Sequence, residues 1–209
     1  MQHGQTNRFV VAALLSATLA VLLWSGIRPR DRFTWFLEVL PVLLAVPLLV
    51  GTYRRFAFTN LAYILIFLHA AILMIGGHYT YAEMPLFNWL ADTFHLGRNH
   101  YDRLGHLAQG LVPAILAREI LLRTSPLRKG KWLGFIVVCI CLAISATYEL
   151  FEFAMAVLTG TAAEAFLGTQ GDVWDSQKDM ALALVGALAG LVCLSRLHDR
   201  EMDGEGKSE

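Results

Sequence analysis

The strongest constraint on this 209-residue chain is a series of six apolar segments, each about 20 residues long. A helix of that length crosses the roughly 30 Å hydrocarbon core of a lipid bilayer. Charged residues make up only 16% of the chain, whereas soluble domains contain about 25%. The pattern therefore predicts an all-α polytopic membrane protein with about six transmembrane helices, at residues 9–24, 33–51, 57–77, 101–122, 132–158 and 178–197.

The segment between the third and fourth of these helices is too polar to span a membrane and is rich in aromatic residues. Apolar side chains recur there at helical spacing, and polar side chains fall on the opposite side: Leu86, Trp89, Leu90 and Phe94 against Asn88, Asp92 and His95. Such a pattern predicts a short helix that lies in the membrane interface. A lid over a site is the alternative interpretation of the same segment.

The distribution of basic residues predicts the orientation, because Lys and Arg are enriched on the cytoplasmic side. With the N-terminus inside, eleven of the 17 basic residues lie on the inner side and six on the outer side. Both termini are therefore expected in the cytoplasm, although three arginines in the first loop argue the other way. We expect one transmembrane domain at residues 1–197 and a disordered charged tail at residues 198–209.

Composition also excludes some functions. The chain has 17 basic and 17 acidic residues, so its net charge of zero gives no reason to expect nucleic acid as a partner. The three cysteines lie inside apolar segments without the spacing of metal ligands, which is typical of small buried hydrophobic residues. A lone histidine in the third helix, His69, is expected to bond a neighbouring helix.

Three polar groups are predicted to lie at one depth near the outer face. The first lies at the start of the fourth helix, the second on the fifth helix, and the third in the segment before and within the sixth. Their members are His100, Asp102 and His106, then Glu149 and Glu152, and finally Asp172, Asp175 and Asp179. Residues three or four apart share one face of a helix, so each group can project towards the others.

Structural roles account for some of these residues. Asp172 or Asp175 suits the N-cap of the last helix, and Asp102 suits a cap or an ion pair with Arg98, Arg103 or His106. Glu38, near the start of the second helix, is expected at the interface. Capping does not explain Asp179, which falls about one turn into the last helix, nor the two glutamates of the fifth helix.

The charge balance favours a bound cation. An uncompensated acid near the bilayer centre costs about 2.5–3.5 kcal/mol, and the nearby fixed positive charges are fewer than the acids. Protonation of some acids or a divalent metal ion would relieve the excess. Carboxylates with imidazole suit Mn²⁺, Zn²⁺ or Fe²⁺, and carboxylates alone suit Mg²⁺ or Ca²⁺. The expected ligands are Asp102, His106, Glu149, Asp172, Asp175 and Asp179.

These residues lead to the hypothesis of a metal-dependent membrane hydrolase that acts on a lipid-linked or small anionic substrate. The metal ion activates a water molecule, Glu152 or His100 serves as general base, and Arg98 or Arg103 binds an anionic group. A small cation- or proton-coupled transporter is one alternative. A structural or sensing protein, whose polar cluster only joins helices, is another.

Several longer runs resemble those of a known family. They are H-Y-T-Y-A-E-M-P at 78–85, R-N-H-Y-D-R-L-G-H at 98–106, E-L-F-E at 149–152 and G-T-Q-G-D-V-W-D-S-Q-K-D-M at 168–180. In these runs the chain resembles the bacterial inner-membrane proteins typified by YjdF. The resemblance implies a multi-pass protein of the inner membrane. It implies no activity, and no catalytic role is carried over from it.

Overall fold

The computed structural model describes residues 8–160, 164–167 and 169–204, and within these ranges the regular structure is entirely helical. One 3-10 turn, Tyr81–Glu83, precedes α4. The α-helices are α1 Arg8–Gly26, α2 Arg32–Thr52, α3 Asn60–Tyr79, α4 Pro85–Phe94, α5 Tyr101–Thr124, α6 Lys131–Thr159, α7 Glu164–Leu167 and α8 Asp175–Gly204.

The helices begin and end close to the positions that the apolar pattern predicts. Side chains cap two of them: Asp31 accepts a hydrogen bond from Thr34 N at 2.6 Å, and Thr59 accepts one from Ala62 N at 3.3 Å. Each cap satisfies a backbone N–H that has no partner within the helix. Among the described residues, α1, α2, α3, α6 and α8 are long and apolar enough to cross a membrane.

α5 is the central helix of the bundle and packs against α3, α6 and α8. It is long enough to span a bilayer, but it contains no 18-residue stretch as apolar as those of the five candidate spans. Five of its polar side chains are nevertheless buried, since the neighbouring helices cover them: Asp102, His106, Gln109, Arg118 and Glu119. The helices that surround α5 expose apolar residues on their outer surfaces.

Glycines bring α5 and α8 into backbone contact. A Cβ atom added at Gly110 would collide with the carbonyl group of Ala183, and one added at Gly186 would collide with that of Leu107. At Gly190 the added atom would lie 2.9 Å from the Leu111 carbonyl oxygen. Small residues allow such close approach between helices in membranes. Polar side chains near the start of α5 and the start of α8 are therefore held close together.

Polar residues occupy both ends of the bundle, and an apolar layer separates them. Along α5 the layer consists of Val112, Ala114 and Ile115, whose exposed fractions are 4%, 0% and 0%. Val137 of α6 and Ala187 of α8, both completely buried, complete it from the other side. The residues between Gln109 and Arg118 thus form an apolar zone about 13 Å thick at 1.5 Å per residue.

α8 is longer than the sequence predicts. The sequence predicts a disordered tail from residue 198, whereas α8 continues to Gly204; residues 205–209 lie outside the described part of the chain. The physical reason is that this last stretch is bonded to the bundle. His198 is completely buried, and Asp199 accepts a hydrogen bond from Arg118 at 2.7 Å.

Candidate metal centre

Three buried side chains from α5 and α8 converge at the end of the bundle where both helices begin. Asp102, His106 and Asp179 each offer one nitrogen or oxygen atom, and these atoms all lie within 4.8 Å of one another. Their exposed fractions are 6%, 3% and 2%. Asp102 and His106 share one face of α5, and the glycine contacts described above bring α8 close to that face.

Each ring nitrogen of His106 lies close to a side-chain oxygen atom. Its Nδ1 lies 3.2 Å from Gln109 Oε1, and its Nε2 lies 3.4 Å from Asp102 Oδ1. When Nδ1–H donates to the amide oxygen, the neutral ring directs the Nε2 lone pair at a carboxylate. Two acceptors that face each other require a second proton or a cation between them. Metal-binding histidines have this same arrangement, with the other nitrogen donating to an oxygen.

Two carboxylate oxygens in this region are buried without a hydrogen-bond partner among the described residues. They are Asp179 Oδ1 and Glu149 Oε1. Glu149 belongs to α6, and its Oε1 lies 3.7 Å from His106 Nδ1, too far for a hydrogen bond. Leaving a buried charged acceptor without a partner costs more than the 1–3 kcal/mol of a neutral group. These two oxygen atoms can accept a hydrogen bond from a water molecule, carry a proton or bind a cation.

The other two predicted ligands, Asp172 and Asp175, contact basic side chains. Asp172 Oδ2 lies 2.9 Å from Arg103 Nη2 and 2.6 Å from Lys178 Nζ, and Asp175 Oδ1 lies 2.6 Å from Arg98 Nη1. Asp172 lies in the loop before α8 and also accepts a hydrogen bond from Trp174 N at 3.1 Å. Asp172 therefore belongs to the loop, and Asp175 is the first residue of α8.

Hydrogen bonds fasten this loop to the start of α5. Asn99 N donates to Gln170 Oε1 at 3.0 Å, and Gln170 Nε2 donates to Asn99 O at 2.9 Å. Asn99 also donates to Met84 O and Asn88 Oδ1, which connects the beginning of α4 to the same point. Arg98 Nη1 donates to Thr169 O at 3.1 Å. The described parts of two connections thus cover the polar end of the bundle.

Two ionisable side chains in these connections, Asp172 and His100, have lowered pKa values, each for a different reason. The hydrogen bond from Lys178 lowers the pKa of Asp172, with smaller contributions from Trp174 N and Arg103. Burial lowers the pKa of His100, and the positive charges of Arg103 and Arg98 lower it further. His100 is the N-cap residue of α5, but its side chain makes no capping hydrogen bond. Its Nδ1 has no hydrogen-bond partner in the described structure.

Sequence reasoning missed Glu38 as a member of this region. Glu38 was expected at the interface, but its side chain is only 2% exposed and lies inside the bundle. Tyr148 Oη donates to Glu38 Oε2 at 3.4 Å, and the Tyr148 ring lies 6.2 Å from the ring of His106. A glutamate inside an apolar helix was the available signal. Glu152 lies one turn beyond Glu149 on α6 and is half-buried.

A second buried cluster, at the opposite end of the bundle, was also missed. Glu119 is completely buried and accepts hydrogen bonds from Thr59 Oγ1 at 2.8 Å and Arg123 Nη1 at 2.7 Å. His198 Nε2 lies 2.9 Å from Glu119 Oε2, and Arg118 Nη1 lies 3.0 Å from His198 Nδ1. Both Glu119 oxygens have partners, in contrast to Asp179. The adjacent charges of Arg118 and Glu119 inside an apolar segment were the signal.

The fold and this site define a class, that of helical membrane proteins whose buried polar cluster lies near one end of the bundle. The chain belongs to the family described as "Predicted membrane protein (DUF2238)", which matches residues 10–200. It is 51% identical over 188 residues to the Inner membrane protein YjdF of Escherichia coli (strain K12), with 90% of each chain covered. No solved structure matches it. The resemblance seen in the sequence runs is thereby confirmed.

Proposed function

We propose that this chain is a six-span protein of the inner membrane with both termini in the cytoplasm. α5 is the sixth span, because its 24 residues extend about 36 Å and its polar side chains face other helices. The name of the Escherichia coli relative assigns that protein to the inner membrane. The excess of basic residues at the end of the bundle opposite His106 supports the orientation.

The polar cover over the centre is proposed to lie at the outer interface. α4 exposes Leu86, Trp89 and Phe94, with exposed fractions of 55%, 59% and 62%, which suits insertion among lipid headgroups. Reporter fusions after Gly130 and Gly160 measure the orientation. A cytoplasmic reporter is expected to be active at the first position and inactive at the second. The reverse pattern would overturn the orientation.

For the site, we propose a divalent metal ion bound by Asp102, His106 and Asp179. The observation that carries this proposal is the meeting of three buried ligand atoms within 4.8 Å, with Asp179 Oδ1 unpartnered. Three protein ligands with an open fourth position are typical of catalytic zinc sites, and the same donors suit Mn²⁺ or Fe²⁺; Mg²⁺ is the weaker candidate since it prefers oxygen donors. Glu149 is close enough to His106 to serve as a further ligand.

The function proposed for this site is hydrolysis of a lipid-linked or small anionic substrate. A bound ion would supply an activated water molecule. Glu152 of α6 or His100 at the start of α5 accepts the proton. Arg103 orients an anionic group, since its Nε lacks a hydrogen-bond partner in the described residues although Nη2 contacts Asp172. Arg98, fixed by Asp175, holds the loop and the start of α8 in place.

Metal content of the purified protein is the primary measurement. Wild type is expected to contain about one equivalent of metal, and Asp179→Asn is expected to lose most of it with little change in volume. Asp92→Asn, which alters an exposed acid of α4, is the matched control and should retain the metal. A chelator should lower the unfolding temperature of wild type and of the control, but not that of Asp179→Asn. Equal metal content in all three proteins would overturn the site.

Hydrolysis requires its own measurement. Product release from phosphate and carboxylate esters, presented both in lipid vesicles and as small soluble analogues, is expected to depend on the metal. Glu152→Gln should abolish release while metal content stays unchanged. If the metal-loaded protein hydrolyses neither class of ester, the proposed metal site still stands but the proposed hydrolase activity is overturned.

A cation- or proton-coupled carrier is the second candidate function, and the row of buried acids at Glu38, Asp102, Asp179 and Glu149 favours it. The apolar layer at Val112, Ala114 and Ile115 opposes it, because no ionisable side chain of α5 lies between Gln109 and Arg118. Proton or cation flux into proteoliposomes distinguishes the two functions. A purely structural cluster predicts that Asp179→Ala fails to fold and that wild type binds no metal.

A further inference from the structure

A second feature of the bundle opens at the end opposite the metal centre. It is an apolar groove of about 790 Å³ between α1, α2, α3 and α5. This volume lies within the roughly 300–1,000 Å³ range of ligand-binding pockets. Its walls are almost entirely apolar, with residues such as Ala12, Ala45, Leu49 and Leu116, and the histidine of α3, His69, is part of the wall.

The length and position of the groove match one leaflet of a bilayer. Along α1 it extends from Arg8 to Thr18, and along α2 from Thr52 back to Pro41. At 1.5 Å per residue these stretches measure about 15 and 17 Å. Half of a hydrocarbon core of about 30 Å is 15 Å. The groove therefore begins at one surface of the membrane and ends near its middle, as an acyl chain does.

Basic side chains surround the end of the groove that lies at the membrane surface. Arg8 lines it, and Arg54 and Arg55 follow directly in the turn after α2. All three are exposed, and none forms an ion pair with another described residue. The described acids at this end bind other groups: Glu119 binds Arg123 and His198, Asp199 and Asp203 bind Lys129, and Glu201 accepts a hydrogen bond from Leu61 N. Within the described part of the chain, the surface end of the groove thus carries an uncompensated positive charge.

From this combination we infer that the groove binds an acyl chain of an anionic phospholipid whose phosphate contacts Arg8, Arg54 and Arg55. A membrane-embedded apolar groove is filled by hydrocarbon, and the three arginines select the headgroup, each contributing attraction to an anionic lipid. In the orientation proposed above, the lipid belongs to the cytoplasmic leaflet. The inference is independent of the metal centre, which lies at the opposite end of the bundle.

Native mass spectrometry of protein from nanodiscs that contain phosphatidylcholine and phosphatidylglycerol counts the retained lipids. Wild type is expected to retain one phosphatidylglycerol in preference to phosphatidylcholine. Ala45→Phe and Ala12→Phe fill the groove and should remove the retained lipid. Val192→Phe, which enlarges a 79% exposed residue of α8 away from the groove, is the matched control and should retain it.

Charge variants test the headgroup contact without altering the apolar walls. Each of Arg8→Gln, Arg54→Gln and Arg55→Gln is expected to reduce the preference for phosphatidylglycerol about fivefold. These residues are exposed, so the variants remain informative if a groove-filling variant does not fold. If wild type, the groove-filling variants and the control all retain the same lipid, the proposal that this lipid binds in the groove is overturned. An unchanged headgroup preference in the triple arginine variant would overturn the anionic lipid.

Discussion

Replacing Gly186 by alanine tests the close contact between α5 and α8 directly. The new Cβ atom would overlap the carbonyl oxygen of Leu107 and would lie 2.9 Å from Leu111 N and 3.0 Å from the Leu107 carbonyl carbon. Comfortable separations between carbon atoms are about 3.5–4.0 Å. Both neighbours are backbone atoms of a central helix, so no flexible side chain can move aside. We therefore expect the two helices to separate by about 1 Å locally.

The expected loss in free energy of unfolding is at least the 1–3 kcal/mol that is typical of overpacked cores. Gly190→Ala, whose Cβ would meet only one atom closer than 3.5 Å, is expected to lose less. Gly134→Ala in α6 is the matched control, because no atom lies within 4 Å of its added Cβ. The control should be neutral or gain up to about 1 kcal/mol from the better helix propensity of alanine.

Reversible unfolding in detergent micelles, followed by tryptophan fluorescence, measures these differences. Separation of α5 from α8 should also weaken metal binding, since Asp179 lies two turns before Gly186 and must stay close to His106. The reasoning would be refuted if Gly186→Ala unfolds at the same denaturant concentration as Gly134→Ala. If Gly186→Ala loses stability but keeps its metal, the close contact between α5 and α8 is supported, but its effect on metal binding is contradicted.

Two further predictions concern the charged side chains. Glu119→Ala leaves Thr59, Arg123 and His198 without their shared acceptor and is expected to cost about 3–5 kcal/mol in the same unfolding measurement. Asp203→Ala, which removes a 69% exposed carboxylate, should cost less than about 1 kcal/mol, and equal losses would contradict the prediction. Because the pKa of Asp172 is lower in the folded protein, its stabilisation is present above its ordinary pKa of 3.8 and is lost as the pH falls through the folded pKa. Unfolding measured against pH should therefore show a steeper acid loss for wild type than for Asp172→Asn, and parallel curves would contradict it.

Hydrophobic periodicity determined the elements accurately, as the amphipathic segment shows. The spacing of Leu86, Trp89 and Phe94 predicted a short helix, and α4 runs from Pro85 to Phe94. The apolar spans were equally clear, because the thickness of the bilayer fixes their length and their composition. Their boundaries shifted where tertiary bonds extended a helix. α8 continues through His198 because Glu119 and Arg118 contact the His198 side chain. No local sequence pattern predicts such a long-range contact.

The sequence by itself determined that this chain crosses a membrane and that one group of its acids and histidines lies near the starts of α5 and α8, since burial in hydrocarbon and residue spacing are local properties. Only the tertiary structure decided which of those acids meet. Asp172 and Asp175 contact lysine and arginine, whereas Asp179 lies beside Asp102 and His106. That division depends on how closely α5 and α8 approach at Gly110 and Gly186, a distance that two separate segments of sequence cannot specify.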